Sequence, residues 1–208
     1  MLEEQLTVEG DHMTLEHQFD RVRSGEMYND LTPELVAARE EAVFLTNDYN
    51  ASFGQTGEVR EAILRKLLGA IGHTVHFEPT FRCEFGHNIR IGNNFYANFD
   101  CVMLDGGGIT IGDDVLFGPR VGIYTSNHAL DPAERAAGGC YAKPVKIGNR
   151  VWIGAGVHIN QGVTIGDGSI VGSGSVVTSD VPAGVIAAGV PCRVLRAITE
   201  ADKTGFTP

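Results

Sequence analysis

The chain has 208 residues, a formal net charge of −10 and 43% apolar side chains, enough for a genuine core. Lys and Arg are nowhere clustered, which argues against a nucleic-acid face or binding to an anionic membrane surface, and no apolar run is long enough to span a bilayer. The four cysteines (Cys83, Cys101, Cys140, Cys192) form no CxxC pair, so no metal is expected, and with no secretory signal the expectation is a cytoplasmic protein with reduced thiols.

Residues 1–13 read as an N-terminal extension that need not be ordered. Residues 14–70 read as a helical region. Thr32 suits a helix N-cap and Pro33 the first turn after it, and "PELVAAREEAVFLTND" follows with strong helix formers. In "GEVREAILRKLLGAIG", Val59, Ile63 and Leu67 recur every four residues, with Ala62 and Ala70 beside them, as one apolar stripe. Residues 1–70 carry 14 Asp and Glu against 6 Lys and Arg, which reads as solvated outer faces of these helices. Helices this short need a body to pack against.

From residue 71 the pattern changes. Ile147, Ile153, Ile159, Ile165, Val171 and Val177 recur every sixth residue, and Gly148, Gly154, Gly166 and Gly172 follow four of them. Val145, Val151, Val157 and Val163 form a second register two positions earlier. Ile111, Phe117 and Ile123 keep the same step, with Gly112 and Gly118 after them. Neither the helical period of 3.6 nor the strand period of 2 yields a step of six. A hexapeptide β-helix does: each unit is a short strand and a tight turn, one aliphatic side chain points inward, and the units stack into a solenoid. The 27 glycines, about twice the usual ~7% share, fit its turns. The coil is expected over 71–190, with a C-terminal tail at 191–208.

The rhythm stops between Ile123 and Val145. An excursion loop at 124–144 is too long for a routine turn and is expected to be functional. It holds His128, the only histidine between positions 88 and 157. Histidine titrates near neutrality and can take the proton of an attacking hydroxyl.

The helical start, "FRCEFG", "NFYANFDCVMLD", "SNHALD", the hexapeptide run and "PCRVLR", in this order, resemble the sugar O-acetyltransferases of the maltose, galactoside and nodulation type, over about residues 14–198. The resemblance implies a left-handed parallel β-helix, a homotrimer with clefts between neighbouring coils, acetyl-CoA as co-substrate rather than a resident cofactor, and a small sugar as acceptor. His128 matches the family's catalytic histidine and Asn98 its second catalytic position. A backbone N–H at Ala155 would face the oxyanion. Asn98, Ser173, Thr178 and Ser179 would lie along the coenzyme, and Arg193 and Arg196 would reach its phosphate end with paired donors. Relatives often carry lysine where Ser179 stands. Trp152 has two open readings, against the pantetheine arm or in a coil corner. On the acceptor side stand Asp30 and Glu84, with Cys140 and Tyr141 near the mouth. A shorter acid or serine is common in relatives at Glu84. Some relatives place an acid where this chain has Gly106, and whether the adjacent Asp105 substitutes is open. Cys83 and Cys101 are expected to pack in the coil.

No cysteine or serine nucleophile stands partnered to His128, so direct transfer without an acyl-enzyme is expected. Three other readings share this coil: a γ-type carbonic anhydrase, which would need three of His73, His76, His87 and His158 on zinc; a transferase acting on serine, an amine or an antibiotic; and a non-catalytic trimeric scaffold. Retention of His128, Asn98, Arg193 and Arg196 argues against the last.

Overall fold

The structure, a computed structural model, describes residues 14–207; the N-terminal extension expected over 1–13 lies outside the described residues. Three helices open the described chain: α1 (Leu15–Ser24), α2 (Pro33–Ala51) and α3 (Gly57–Leu67). Thr14 and Thr32 cap the first two, each side-chain oxygen accepting a backbone N–H of the first turn, and Pro33 takes the first helical position as its sequence suggested.

The buried face of α3 keeps Leu67 and the half-buried Ile63 of the stripe that the apolar spacing picks out, but not Val59. Val59 is 43% exposed, whereas Arg60, Leu64 and Leu67 are buried. Arg60 earns no solvent because its guanidinium has partners inside. It donates to Phe77 O at 2.9 Å and Ser52 Oγ at 3.3 Å, and it lies over the Tyr49 ring. Periodicity counts apolar side chains and is blind to a cation that finds partners inside and joins the buried face.

From Ala70 the chain winds through three parallel sheets. The first face stacks Ala70–Ile71, Ile89–Ile91, Ile109–Ile111, Val145–Ile147 and Thr164–Ile165. The second stacks Val75–Phe77, Phe95–Ala97, Leu116–Phe117, Trp152–Ile153, Ile170–Val171 and Val185–Ala188. The third stacks Phe81–Cys83, Cys101–Leu104, Gly122–Tyr124, His158–Asn160 and Val176–Val177. This is a left-handed parallel β-helix with an N-terminal helical region. The six-residue register predicted from sequence is its interior: Ile91, Ile111, Ile147 and Ile165 stack in one column, and Ile123, Ile159 and Val177 in another.

The corners differ, and the difference positions the site. Between the first and second faces the chain turns on a ladder in which Asn93, Asp113, Asn149 and Asp167 each accept the backbone N–H of the coil below. Between the third and first faces the early coils are two residues longer than the regular step, at 84–88 and 105–108. In the next coil the same corner expands into the excursion.

The excursion is ordered. Strands Ser126–His128 and Gly139–Ala142 pair antiparallel, joined through the short helix α4 (Pro132–Ala136), which Asp131 caps. Strand Tyr28–Asn29 completes a three-stranded sheet on the other side of Gly139–Ala142. At the far end, Arg193–Ala197 turns back antiparallel on Val185–Ala188 and extends the second face.

Candidate active site

His128 stands on the edge strand of the excursion sheet, directly opposite Cys140. Its side chain is exposed, and its Nδ1 lies 3.0 Å from Cys140 Sγ. Nε2 is therefore the nitrogen left for chemistry. Cys140 is 2% exposed. Burial, then the neighbouring carboxylates of Asp30 and Glu84, push its thiol up to about 11, so it is protonated at neutral pH.

Behind these two residues lies an ion-pair network. Arg39, from α2, donates Nη1 to Asp30 O at 2.8 Å, Nε to Glu84 Oε1 at 3.1 Å, and Nη2 to the Asp30 carboxylate. Its guanidinium stacks over Phe85. Glu84 is held above the usual carboxylate range, chiefly by burial, with Arg39 opposing the rise and Asp105 adding to it. Its second oxygen, Oε2, is buried without a partner, and Tyr28 Oη and Ser126 Oγ are buried beside each other with no further partner. Burial raises the Tyr28 phenol well above its ordinary value, with the Ser126 hydroxyl opposing the rise and Asp30 and Glu84 adding to it. These atoms converge on Gly106: a methyl group there would stand 2.5 Å from Ser126 Oγ, 3.4 Å from Glu84 Oε2 and 3.5 Å from Tyr28 Oη. Unpaired buried polar atoms are costly, and a cluster of oxygens suits a partner rich in hydroxyl groups. Tyr141, half-buried, sits opposite Asn127 on the same sheet.

Asp105 does not belong to this cluster, contrary to its expected place beside the acceptor. It is 0% exposed, and its carboxylate accepts the N–H groups of Glu84 at 3.1 Å, Phe85 at 2.8 Å and Asn88 at 3.2 Å. Both oxygens are spent on holding the longer corner, which in turn carries Glu84. Cys83 and Cys101 are held as thiols by burial, up to about 12 and about 11, and both pack against the coil.

The residues matched to the coenzyme fall elsewhere. Asn98, Ala155 and Ser173 lie one above another on the corner between the second and third faces. Asn98 Oδ1 accepts the Phe99 N–H at 2.8 Å, which leaves its Nδ2 to donate. The Ala155 N–H already donates to Ser173 Oγ at 3.1 Å, so it reaches an oxyanion only when that hydroxyl turns aside. Gly118, in the coil beneath, has no room for a side chain: a methyl group would lie 2.7 Å from Ala155 N. Trp152 is 53% exposed on the outside of the second face, between Leu116 and Ile170 in register, which closes the corner-filling option. Arg193 and Arg196 lie on the exposed last strand. Arg196 forms a fork with Asp202, at 2.8 and 2.7 Å, and Arg193 bonds its neighbouring carbonyl, Cys192 O. Thr178 and Ser179 are exposed on the corner between the third and first faces, the edge that carries the excursion.

One chain thus brings His128, Asp30 and Glu84 together on one edge, while Tyr141, next to Cys140 on the same strand, turns to the opposite face of the excursion sheet. The chain places Asn98, Ala155 and Ser173 on the next edge, with the third face between them. Among the described residues no group of three or more His, Cys, Asp or Glu has an arrangement that could hold a metal ion, so the zinc set of the carbonic anhydrase reading has no counterpart there. No described helix is long and apolar enough to cross a membrane.

Residues 21–72 match the maltose acetyltransferase hexapeptide capping motif, and residues 144–179 match the bacterial transferase hexapeptide family. Galactoside O-acetyltransferase of Escherichia coli K12 is 42% identical over 88% of this chain and 91% of its own. The chain belongs to the maltose and galactoside O-acetyltransferase family. It is an acetyltransferase of the hexapeptide-repeat type. Among solved structures of this family, the maltose O-acetyltransferase of Clostridium difficile 630 superposes with a TM-score of 0.85, at 45% identity over 88% of this chain and 98% of that one. A hexapeptide-repeat acetyltransferase of Vibrio cholerae, solved in complex with acetyl-CoA, superposes with a TM-score of 0.80, at 42% identity over 88% of this chain and 99% of that one.

Three residues of this candidate site escaped the sequence reading. Arg39 sits in a helix whose charges read as a solvated face, and its partners Asp30 and Glu84 come from different elements. Tyr28 and Ser126 are ordinary residues until the excursion sheet pairs their strands. Only Cys140, by its place in the long excursion, carried a usable signal.

Proposed function

We propose that the protein transfers the acetyl group of acetyl-CoA to a hydroxyl of a small sugar, with His128 as general base and without an acyl-enzyme. The supporting observation is the juxtaposition on one edge of an exposed imidazole and a cluster of buried oxygens around Gly106. Sugar hydroxyls donate to Asp30 and Glu84 and accept from Tyr28 and Ser126. The acceptor oxygen gives its proton to His128 Nε2 as it attacks the thioester carbon. The carbonyl oxygen gains charge as the intermediate becomes tetrahedral, and Asn98 Nδ2 and the Ala155 N–H are the donors available to it. The C–S bond then breaks and the proton passes from the imidazolium to the departing thiolate. Cys140 is no rival nucleophile, because its proton stays on sulfur at neutral pH.

The base and the oxyanion donors stand on different edges of the coil, so a complete site needs the excursion of one copy against the Asn98 corner of another. A homotrimer with a cleft at each of its interfaces meets that need. Coenzyme residues divide the same way, Thr178 and Ser179 on one edge and Asn98 and Ser173 on the other. Holding both substrates in such a cleft supplies much of the rate.

Acetyl-CoA consumption over a panel of sugars, amines and hydroxy amino acids tests the acceptor class. Turnover with a sugar, and its loss by about 10²–10⁴-fold in His128→Ala with the coil intact, is the expected result. Turnover confined to amines or serine would replace the acceptor, and a burst of one acetyl group per site without acceptor would overturn direct transfer.

A further inference from the structure

We infer that Cys140 is a positioning residue for the base, its buried sulfur holding the His128 imidazole by Nδ1. The inference deepens the proposed function and rests on its assignment of His128. Cys140 lies at the centre of the excursion sheet, with His128 opposite it on one side and Tyr28 on the other. The central strand fixes the sulfur in the interior, at 2% exposure, and the exposed ring on the edge strand leans on it, Nδ1 to Sγ 3.0 Å.

The charged and titratable groups facing this pair come from three further elements. The Tyr28 phenol and Asp30 come from the first strand of the sheet and the turn that follows it, Glu84 from the long corner, and Arg39 from α2. For Nε2 to take the acceptor's proton, Nδ1 must carry the ring hydrogen, and the sulfur lone pairs are the acceptor in place for it. The contact holds the ring in one tautomer and one orientation, with the Nε2 lone pair free for the acceptor, the part that a third group plays for the base of a catalytic triad. Behind the sulfur, Arg39 ties Asp30 and Glu84 into one ion-pair network.

The test compares wild type with Cys140→Ala, Cys140→Ser and His128→Ala, reading kcat against acceptor KM. A hydroxyl can still accept from Nδ1, whereas a methyl group cannot. Cys140→Ala is expected to lower kcat about 10- to 100-fold through a loosened ring, with acceptor KM near wild type. Cys140→Ser is expected to restore most of kcat. If Cys140→Ala does not fold, Cys140→Val supplies the same contrast. Wild-type kcat in the apolar variant, or a serine variant as slow as it, overturns the inference. An active His128→Ala overturns instead the reading of the base, whatever the Cys140 variants do.

Discussion

Asp105→Ala would remove the shared acceptor of three backbone N–H groups, those of Glu84, Phe85 and Asn88, at a position with 0% exposure. The Glu84 N–H keeps Met103 O at 3.1 Å, so the donors left unpaired are those of Phe85 and Asn88, at about 1–3 kcal/mol each. Part of that is offset because a buried carboxylate, whose pKa burial raises against the pull of these donors, is no longer there to desolvate. A net loss of about 1–4 kcal/mol follows, large against the roughly 5–15 kcal/mol that a domain commonly has. Asp105→Asn keeps an oxygen for Glu84 and Phe85 but turns an NH2 group towards the Asn88 N–H, and is expected to cost about 1–3 kcal/mol. Denaturant unfolding measures the total. Because a solenoid opens by neighbouring units, amide exchange across 84–88 shows whether the loss is at that corner. Unchanged unfolding and exchange in Asp105→Asn, together with a raised acceptor KM, would make Asp105 a sugar ligand and refute the corner assignment.

Arg60→Ala removes two hydrogen bonds of a buried cation and its contact over Tyr49, and is expected to cost about 2–4 kcal/mol in denaturant unfolding; a neutral result would mean the helical cap is held by its apolar contacts alone. Glu84 has a folded-state pKa raised by burial, so its contribution to stability is present at low pH and lost as pH rises through the raised value. Glu84→Gln should therefore unfold at or above the wild-type midpoint at pH 7, with the gap closing as pH falls into the carboxylate range; a gap that widens on acidification would reverse the sign. Gly118→Ala would press a methyl group against Ala155 N at 2.7 Å, and a fall in kcat at unchanged acceptor KM is expected. Equal kcat in that variant would remove the Ala155 N–H from the oxyanion site.

The coil was legible because its driving force is periodic. An aliphatic side chain at every sixth position from Ile147 to Val177 has no other economical reading, and the structure stacks these residues in register. The cap at Thr32 and Pro33 was legible for the same reason, since it depends on neighbours in the chain. What escaped depends on partners distant in sequence. Arg60 is buried because Phe77 O and Tyr49 receive it. Asp105 turns inward because Glu84, Phe85 and Asn88 present their N–H groups to it. Arg39 joins Asp30 to Glu84 from a helix that by itself reads as surface. The excursion read as a loop because its sheet is completed by Tyr28–Asn29, far upstream. His128 was legible as a residue, since it interrupts a repeat, but its contact with Cys140 required the strand pairing.

The central claim is that an active site is assembled from two edges of the coil contributed by two copies of the chain. Co-expression of His128→Ala with Asn98→Ala tests it most directly, because each variant carries the residue the other lacks. Each alone is expected to be nearly inactive, and their mixed assemblies to recover activity with acetyl-CoA and a sugar acceptor. Mixed assemblies that form but stay as inactive as either parent would contradict the account.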